Sequence, residues 1–131
     1  MEKFNLENTI GIAALLVHAA KIDENYSEKE KDLIRSFILE ITNNTSTKNE
    51  ILQKAEKLEA DSNQLLNFTN IIKKNSIESK AKIIEELWKI IISDDSVDQF
   101  ESNLMRRICG LIYFPDKLNG EIKIKLLKER I

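Results

Sequence analysis

Residues 13–30 read AALLVHAAKIDENYSEKE, and residues 86–101 read ELWKIIISDDSVDQFE. Laid one above the other at a constant step of 71 residues, Asp23 meets Asp94, Tyr26 meets Val97, Ser27 meets Asp98 and Glu30 meets Glu101. The register holds on both flanks, with Leu16 over Leu87 and Ala20 over Ile91 upstream, and Leu33 over Leu104 and Ile34 over Met105 downstream. Each copy reads as an apolar helix, an acidic turn and a capped amphipathic helix. The cap is reciprocal: a Ser or Asp side chain accepts from the backbone N–H three residues on, and the Glu at that place accepts from the cap's own N–H. Such a helix pair leaves an apolar face that only its counterpart or the intervening helices can cover. The spacing therefore predicts a pseudo-twofold helical domain.

Working outward, the stripe Ile12, Leu15, Leu16 and Ala19, with Ala13, Ala14 and Ala20 beside it, makes the segment from Asn8 to Lys21 a central helix that neighbours approach closely. Leu33, Ile34, Phe37, Ile38 and Ile41 form the face of the second helix, which ends in the polar run from Thr42 to Thr47. Thr47 with Glu50 opens a third helix with Ile51, Leu52, Ala55 and Leu58 inward. Asp61 with Gln64 opens a fourth with Leu65, Phe68, Thr69 and Ile72. Asn75 with Glu78 opens the fifth, where Ala81, Ile84, Leu87, Trp88 and Ile91 form a stripe that Ile83, Ile90 and Ile92 widen, so this helix is buried like the first. Asp98 with Glu101 opens the sixth, with Leu104, Met105, Ile108, Leu111 and Ile112 inward, and Pro115 ends it. A last amphipathic stretch from Leu118 to Arg130 carries Ile122 and Leu126 on one side, and Asn119-Gly120 blurs its start. The expectation is a single all-α domain over residues 1–131, a bundle of about seven helices.

The composition agrees. Three Gly and one Pro in 131 residues leave few tight turns, and the β-branched supply is almost wholly Ile. Twenty basic against 22 acidic residues, with 42% hydrophobic content, exclude wholesale disorder. One Cys excludes an internal disulfide, and the lack of a Cys/His cluster excludes the usual zinc site, so a reducing, cytoplasmic setting is expected. No stretch approaches the roughly 18 uncharged residues that would span a bilayer. Peripheral membrane association and homo-oligomers stay open.

The doubled pattern resembles the TerB-like (tellurite resistance protein B) family. It is carried by AALLVHAAKIDENYSEKE, then ELWKIIISDDSVDQFE followed by LMRRICGLIYF, across roughly Ile10 to Phe114. Family members usually place Gly directly after the turn Asp, whereas this chain has Glu24 and Asp95. The resemblance implies an all-helical, non-enzymatic domain of bacterial stress and tellurite-resistance systems, with acidic turns suspected of metal association.

Two readings of the turns compete. Oxygen ligands at alternate positions followed by a later Glu, as in Asp23, Asn25, Ser27 and Glu30 or Asp94, Ser96, Asp98 and Glu101, follow the logic of a calcium loop. The glycine at position six and the bidentate Glu at position twelve of an EF-hand are both absent. The other account is structural: Ser27 with Glu30 and Asp98 with Glu101 are caps, and an Asp near a helix start is favoured by the macrodipole. As metal ligands the candidates are Asp23, Glu30, Asp94, Asp98 and Glu101, with the second turn favoured for its four carboxylates and lack of a basic neighbour. No cofactor is required by this reading, and hard oxygen ligands would take calcium, magnesium or manganese. His18 has no catalytic partner at a recognisable spacing, Cys109 reads as a small hydrophobe, and Arg106 and Arg107 lack the interleaved aromatics of a nucleic-acid platform. The reading is not an enzyme and not a nucleic-acid binder. Two functions survive: an adaptor docking protein partners through an acidic rim or a groove between the repeats, and a divalent-cation sensor.

Overall fold

The computed structural model describes residues 3–22, 26–42, 48–62, 64–93 and 99–129, the side chains at 99–101 excepted. Among the described residues there are seven helices: α1 (Leu6–Lys21), α2 (Glu28–Ile41), α3 (Lys48–Asp61), α4 (Leu66–Ile72), α5 (Ile77–Ile92), α6 (Gln99–Ile112) and α7 (Asp116–Glu129). The predicted step is kept at both ends of two helix pairs. Leu6 to Ile77 and Lys21 to Ile92 are steps of 71, as are Glu28 to Gln99 and Ile41 to Ile112. From α3 to α7 the step falls to 68, because the second unit crosses from helix to helix in three fewer residues.

Packing repeats as the sequence does. In the first unit α1 touches α2 and α3, and α2 touches α3; in the second, α5 touches α6 and α7, and α6 touches α7. The units meet where α1 lies on α5, with α2 also against α5, and α4 bridges them by touching α1 and α6. This seam explains why the two most apolar helices are the first of each unit. Ile12, Leu15, Leu16 and Val17 of α1, and Ile83, Ile84 and Leu87 of α5, have no exposed surface. The small residues of α1 serve close approach as expected. A side chain at Gly11 would collide with Ile71 of α4, its Cβ lying 2.1 Å from the Ile71 Cδ1.

Caps fix where the helices begin. Asn5 accepts from the Asn8 N–H at 2.8 Å and Ser76 from the Ser79 N–H at 3.2 Å, again one step of 71 apart. Here the sequence reading is corrected: Ser76, not Asn75, caps α5. Asn75 instead closes α4, its Nδ2 donating to the Ile71 carbonyl at 3.0 Å. Asp61 does not open α4 but ends α3, and α4 begins after Leu65 with no side-chain cap. Leu58, expected inward, is 37% exposed. The last helix starts at Asp116, and the Pro115 carbonyl takes the Asn119 N–H at 3.1 Å. It runs through Asn119-Gly120 because Asn119 is buried and serves as acceptor for the Trp88 indole N–H at 2.7 Å.

The end of α6 is unusual. Phe114 N–H bonds to the Cys109 carbonyl at 2.8 Å and Tyr113 N–H to the Gly110 carbonyl at 3.4 Å, the pair of bonds of a Schellman cap. The residue at its left-handed position is normally Gly, yet here it is Tyr113 at φ 60. A non-Gly residue there costs about 1 kcal/mol or more. Finally, among the described residues no helix is long and apolar enough to cross a membrane.

Candidate functional site

The helix ends that flank the two turns lie together at one end of the bundle. Lys29, in the first turn of α2, donates to the carbonyl of Ser93, the residue that caps the C-terminus of α5, at 3.5 Å. Between them opens a groove of about 340 Å3 lined by Lys29 and Leu33 of α2, Lys89, Ile92 and Ser93 of α5, and Leu126 and Glu129 of α7. Its floor is aliphatic and its rim charged, and it lies between the two units, where the sequence analysis expected a groove. Lys89 at the rim is held by Glu85 at 3.5 Å and Glu86 at 3.6 Å, so Lys29 is the rim cation turned toward the seam.

Of the five candidate metal ligands, Glu30 is the one whose side chain is described. Asp23, Asp94 and Asp98 lie outside the described residues, and of Glu101 only its place in α6 is described. Glu30 is buried and serves the cap that the sequence called for. Its Oε1 accepts from the Ser27 N–H at 2.8 Å and from the Ser27 hydroxyl at 3.0 Å, while Ser27 Oγ accepts from the Glu30 N–H at 3.2 Å. Ser27→Ala removes one acceptor at this helix start and should cost about 1 kcal/mol in a urea titration. An unchanged midpoint would show that the reciprocal cap contributes nothing to stability. Among the described residues no group of three or more His, Cys, Asp or Glu side chains gathers as a metal cluster would.

What the structure does assemble beside the first turn is a cluster of fixed charges that sequence reasoning missed. Glu59 of α3 accepts from Lys21 at 3.0 Å and pairs with His18 Nδ1 at 3.1 Å. Burial pushes the Glu59 carboxyl up, but the hydrogen bonds and charges of Lys21 and His18 outweigh it and hold the group below the usual carboxylate range. A carboxyl lowered on folding stabilises fully above its unfolded pKa, and the contribution is lost as pH falls through the lower folded value. Tyr26 lies beneath two ammonium groups, Lys31 at 5.0 Å and Lys21 at 5.9 Å from the ring centroid. Burial, then the nearby Glu56 carboxylate, pushes its phenol above the ordinary range, so it stays neutral. The available signal was two polar side chains, His18 and Lys21, three residues apart at the end of an apolar run; their partner, 38 residues beyond Lys21, carries no local mark. Cys109 behaves as the small hydrophobe expected: it is buried, and burial pushes its thiol up to about 12.

These contacts tie helices together and bring no nucleophile to a base. The groove between the units draws on both repeats and on the flanks of both turns. The all-helical fold accords with the comparison against known families, in which the model described as Tellurite resistance protein TerB matches residues 9–123. No curated protein and no solved structure matches the chain. The TerB domain is all-α and is not a known enzyme family. With a family match that covers most of its length, from within α1 into α7, the chain belongs to the TerB family.

Proposed function

We propose that this chain is a non-enzymatic adaptor of a bacterial stress or tellurite-resistance-type system, acting in the cytoplasm and docking a segment of a partner protein in the groove between its two units. The observation that carries this reading is the groove itself. Leu33, Ile92 and Leu126 offer an aliphatic floor framed by Lys29, Lys89 and Glu129, on the seam of the repeat. Apolar floors with charged rims are the usual anatomy of a docking patch. The test is site-specific photo-crosslinking in cells from a photoreactive residue at position 33. A discrete adduct that disappears with Ile92→Asp, in a protein that keeps its helical circular dichroism, supports docking here. The absence of any adduct from position 33, with adducts from a control position on the exposed face of α3, sinks it.

The second reading, a divalent-cation module, draws on the Lys29 to Ser93 contact, which brings the flanks of both turns to one end of the bundle. An ion held by Asp94, Asp98 and Glu101, with Asp23 and Glu30 as a weaker equivalent, would then sit where it could bias the seam. The carboxylate donor set suits calcium, magnesium or manganese. Glu30 fits this role poorly while its Oε1 serves the Ser27 cap. Calorimetric titration with each ion, alongside thermal melts, tests the reading, since an ion that binds the folded form alone must raise the midpoint. Asp94→Asn combined with Glu101→Gln should abolish an isotherm that the matching changes at Asp23 and Glu30 only weaken. A flat isotherm at millimolar ion leaves the turns as caps.

A further inference from the structure

In the first unit α4 lies on α1 at Gly11, and one turn further along that stripe Leu15 is fully buried. At the step of 71 the same stripe of α5 reads Lys82 and Glu86, with Glu85 and Lys89 standing where α1 has Ala14 and His18. Here α2 provides cover: it touches α5, and Lys82 reaches Glu40 of α2 at 3.3 Å. A carboxyl therefore occupies the place of a core leucine. It is buried like one, its side chain 8% exposed.

An ionised carboxyl taken out of water needs close, well-directed donors to offset its lost hydration. Among the described residues Glu86 has one long contact, the Lys89 ammonium at 3.6 Å, which is beyond hydrogen-bond length and is shared with Glu85 at 3.5 Å. The helices packed on α5 bring no closer cation. From α2 comes Glu40, of the same sign, while Lys29 is bound to the Ser93 carbonyl and Arg35 to Glu28 and Asp32. Lys3, ahead of α1, donates to the Glu40 carbonyl. α1 turns His18 and Lys21 to Glu59 and exposes Glu7. Arg106 and Arg107 of α6 are exposed, and Arg107 lines a groove against α4. α7 lays Lys123 over Trp88 and turns Glu129 to the seam groove. Glu40, Glu85 and Glu86 are thus left to share Lys82 and Lys89. Burial pushes the Glu86 carboxyl above its ordinary range; Lys89 pulls it back in part, and Glu40 pushes it further up.

We propose that Glu86 is a proton-operated latch on the seam: with its carboxyl protonated α2 seats on α5, and ionisation draws the group toward water and loosens α2. The sign follows from where the proton is held more tightly. A carboxyl raised on folding stabilises the fold below its unfolded pKa, and that contribution is lost as pH rises through the folded value. The seam is therefore tightest in mild acid. Because α2 carries Lys29 and Leu33 into the seam groove, a looser α2 alters that groove as well. The latch itself does not depend on what the groove docks.

The test uses the full chain with carbon-13 in the glutamate side chains, Glu86 being assigned by its absence in Glu86→Gln. Its carboxyl should titrate at higher pH than those of the exposed glutamates, and Lys89→Gln should move it higher still. Glu86→Gln should raise the melting midpoint by about 2 to 4 °C at pH 8 and change it little at pH 4. Glu86→Leu, which installs the residue of the first unit, should show the same gain at pH 8. After correction for intrinsic rates, the amides of residues 37–41 should exchange at least threefold faster at pH 8 than at pH 5 in the wild type, and equally at both in Glu86→Gln. Titration of Glu86 together with the exposed glutamates overturns the proposal. So does an equal shift of the melting midpoint at both pH values in Glu86→Gln, or α2 exchange in the wild type that does not change with pH. No partner protein enters these measurements, so their failure leaves the crosslinking test of the seam groove undisturbed.

Discussion

Trp88→Ala is expected to destabilise the protein by about 3 to 5 kcal/mol. The ring is 2% exposed on α5 where that helix meets α7, and three interactions vanish with it: the apolar contact, the indole N–H bond to Asn119, and the Lys123 ammonium 5.1 Å from its centroid. The Ile-rich α5 cannot refill a void of that size without moving the α1 seam on its other side. Because this is the chain's one Trp, the urea transition has to be followed by circular dichroism at the helical minimum rather than by fluorescence. A loss below about 1 kcal/mol would show that the ring carries little of the core's packing.

Asn119→Leu is expected to cost about 1 to 3 kcal/mol, for a different reason: it leaves the Trp88 N–H buried without an acceptor. The first unit shows what an apolar version of this contact would be. At the step of 71, Trp88 stands where α1 has Val17; at the step of 68, Asn119 stands where α3 has Ile51; and both of those residues are fully buried. Trp88→Phe with Asn119→Leu removes both polar partners together and should recover a large part of the loss. If the double variant is as unstable as the sum of the singles, Asn119 contributes through its fit in the helix packing and not through the hydrogen bond.

The helices of the repeat were legible because each carries its own evidence. A stripe of three-and-four spacing shows in α1, α2, α5 and α6, and the Ser27–Glu30 cap names its helix start to the residue. The elements misread were those whose ends are settled by distant residues. Asn119-Gly120 looks like a break, since both are poor helix formers, and it is helical because Trp88 takes up the Asn119 side chain. The cap of α5 was placed one residue early although the repeat held the answer, as Asn5 and Ser76 stand one step of 71 apart. No local signal marks the start of α4, which begins without a side-chain cap. The acidic turns were the boldest feature of the sequence, and the structure speaks to them through Glu30 alone, with Asp23, Asp94 and Asp98 outside the described residues and the Glu101 side chain undescribed. A groove between the units is expected from the repeat, but its lining could not be read from sequence, since Leu33, Ile92 and Leu126 share no periodicity and meet only once α2, α5 and α7 are assembled.

The seam of α1 on α5 also governs how the chain behaves when crowded. Neither unit can cover its first helix alone: Ile12 and Leu16 on one side, and Ile84 and Leu87 on the other, are sealed in the assembled bundle, where α1 lies on α5. The surface that one chain's second unit offers its own α1 is the same surface it offers any other chain's α1. Exchange through an opening at the short, uncapped α4 costs the release of α4 from α1 and α6 and the parting of α1 and α2 from α5. Two opened chains can close on each other with every native contact remade, a domain swap that conserves the fold and changes only which chain supplies each half.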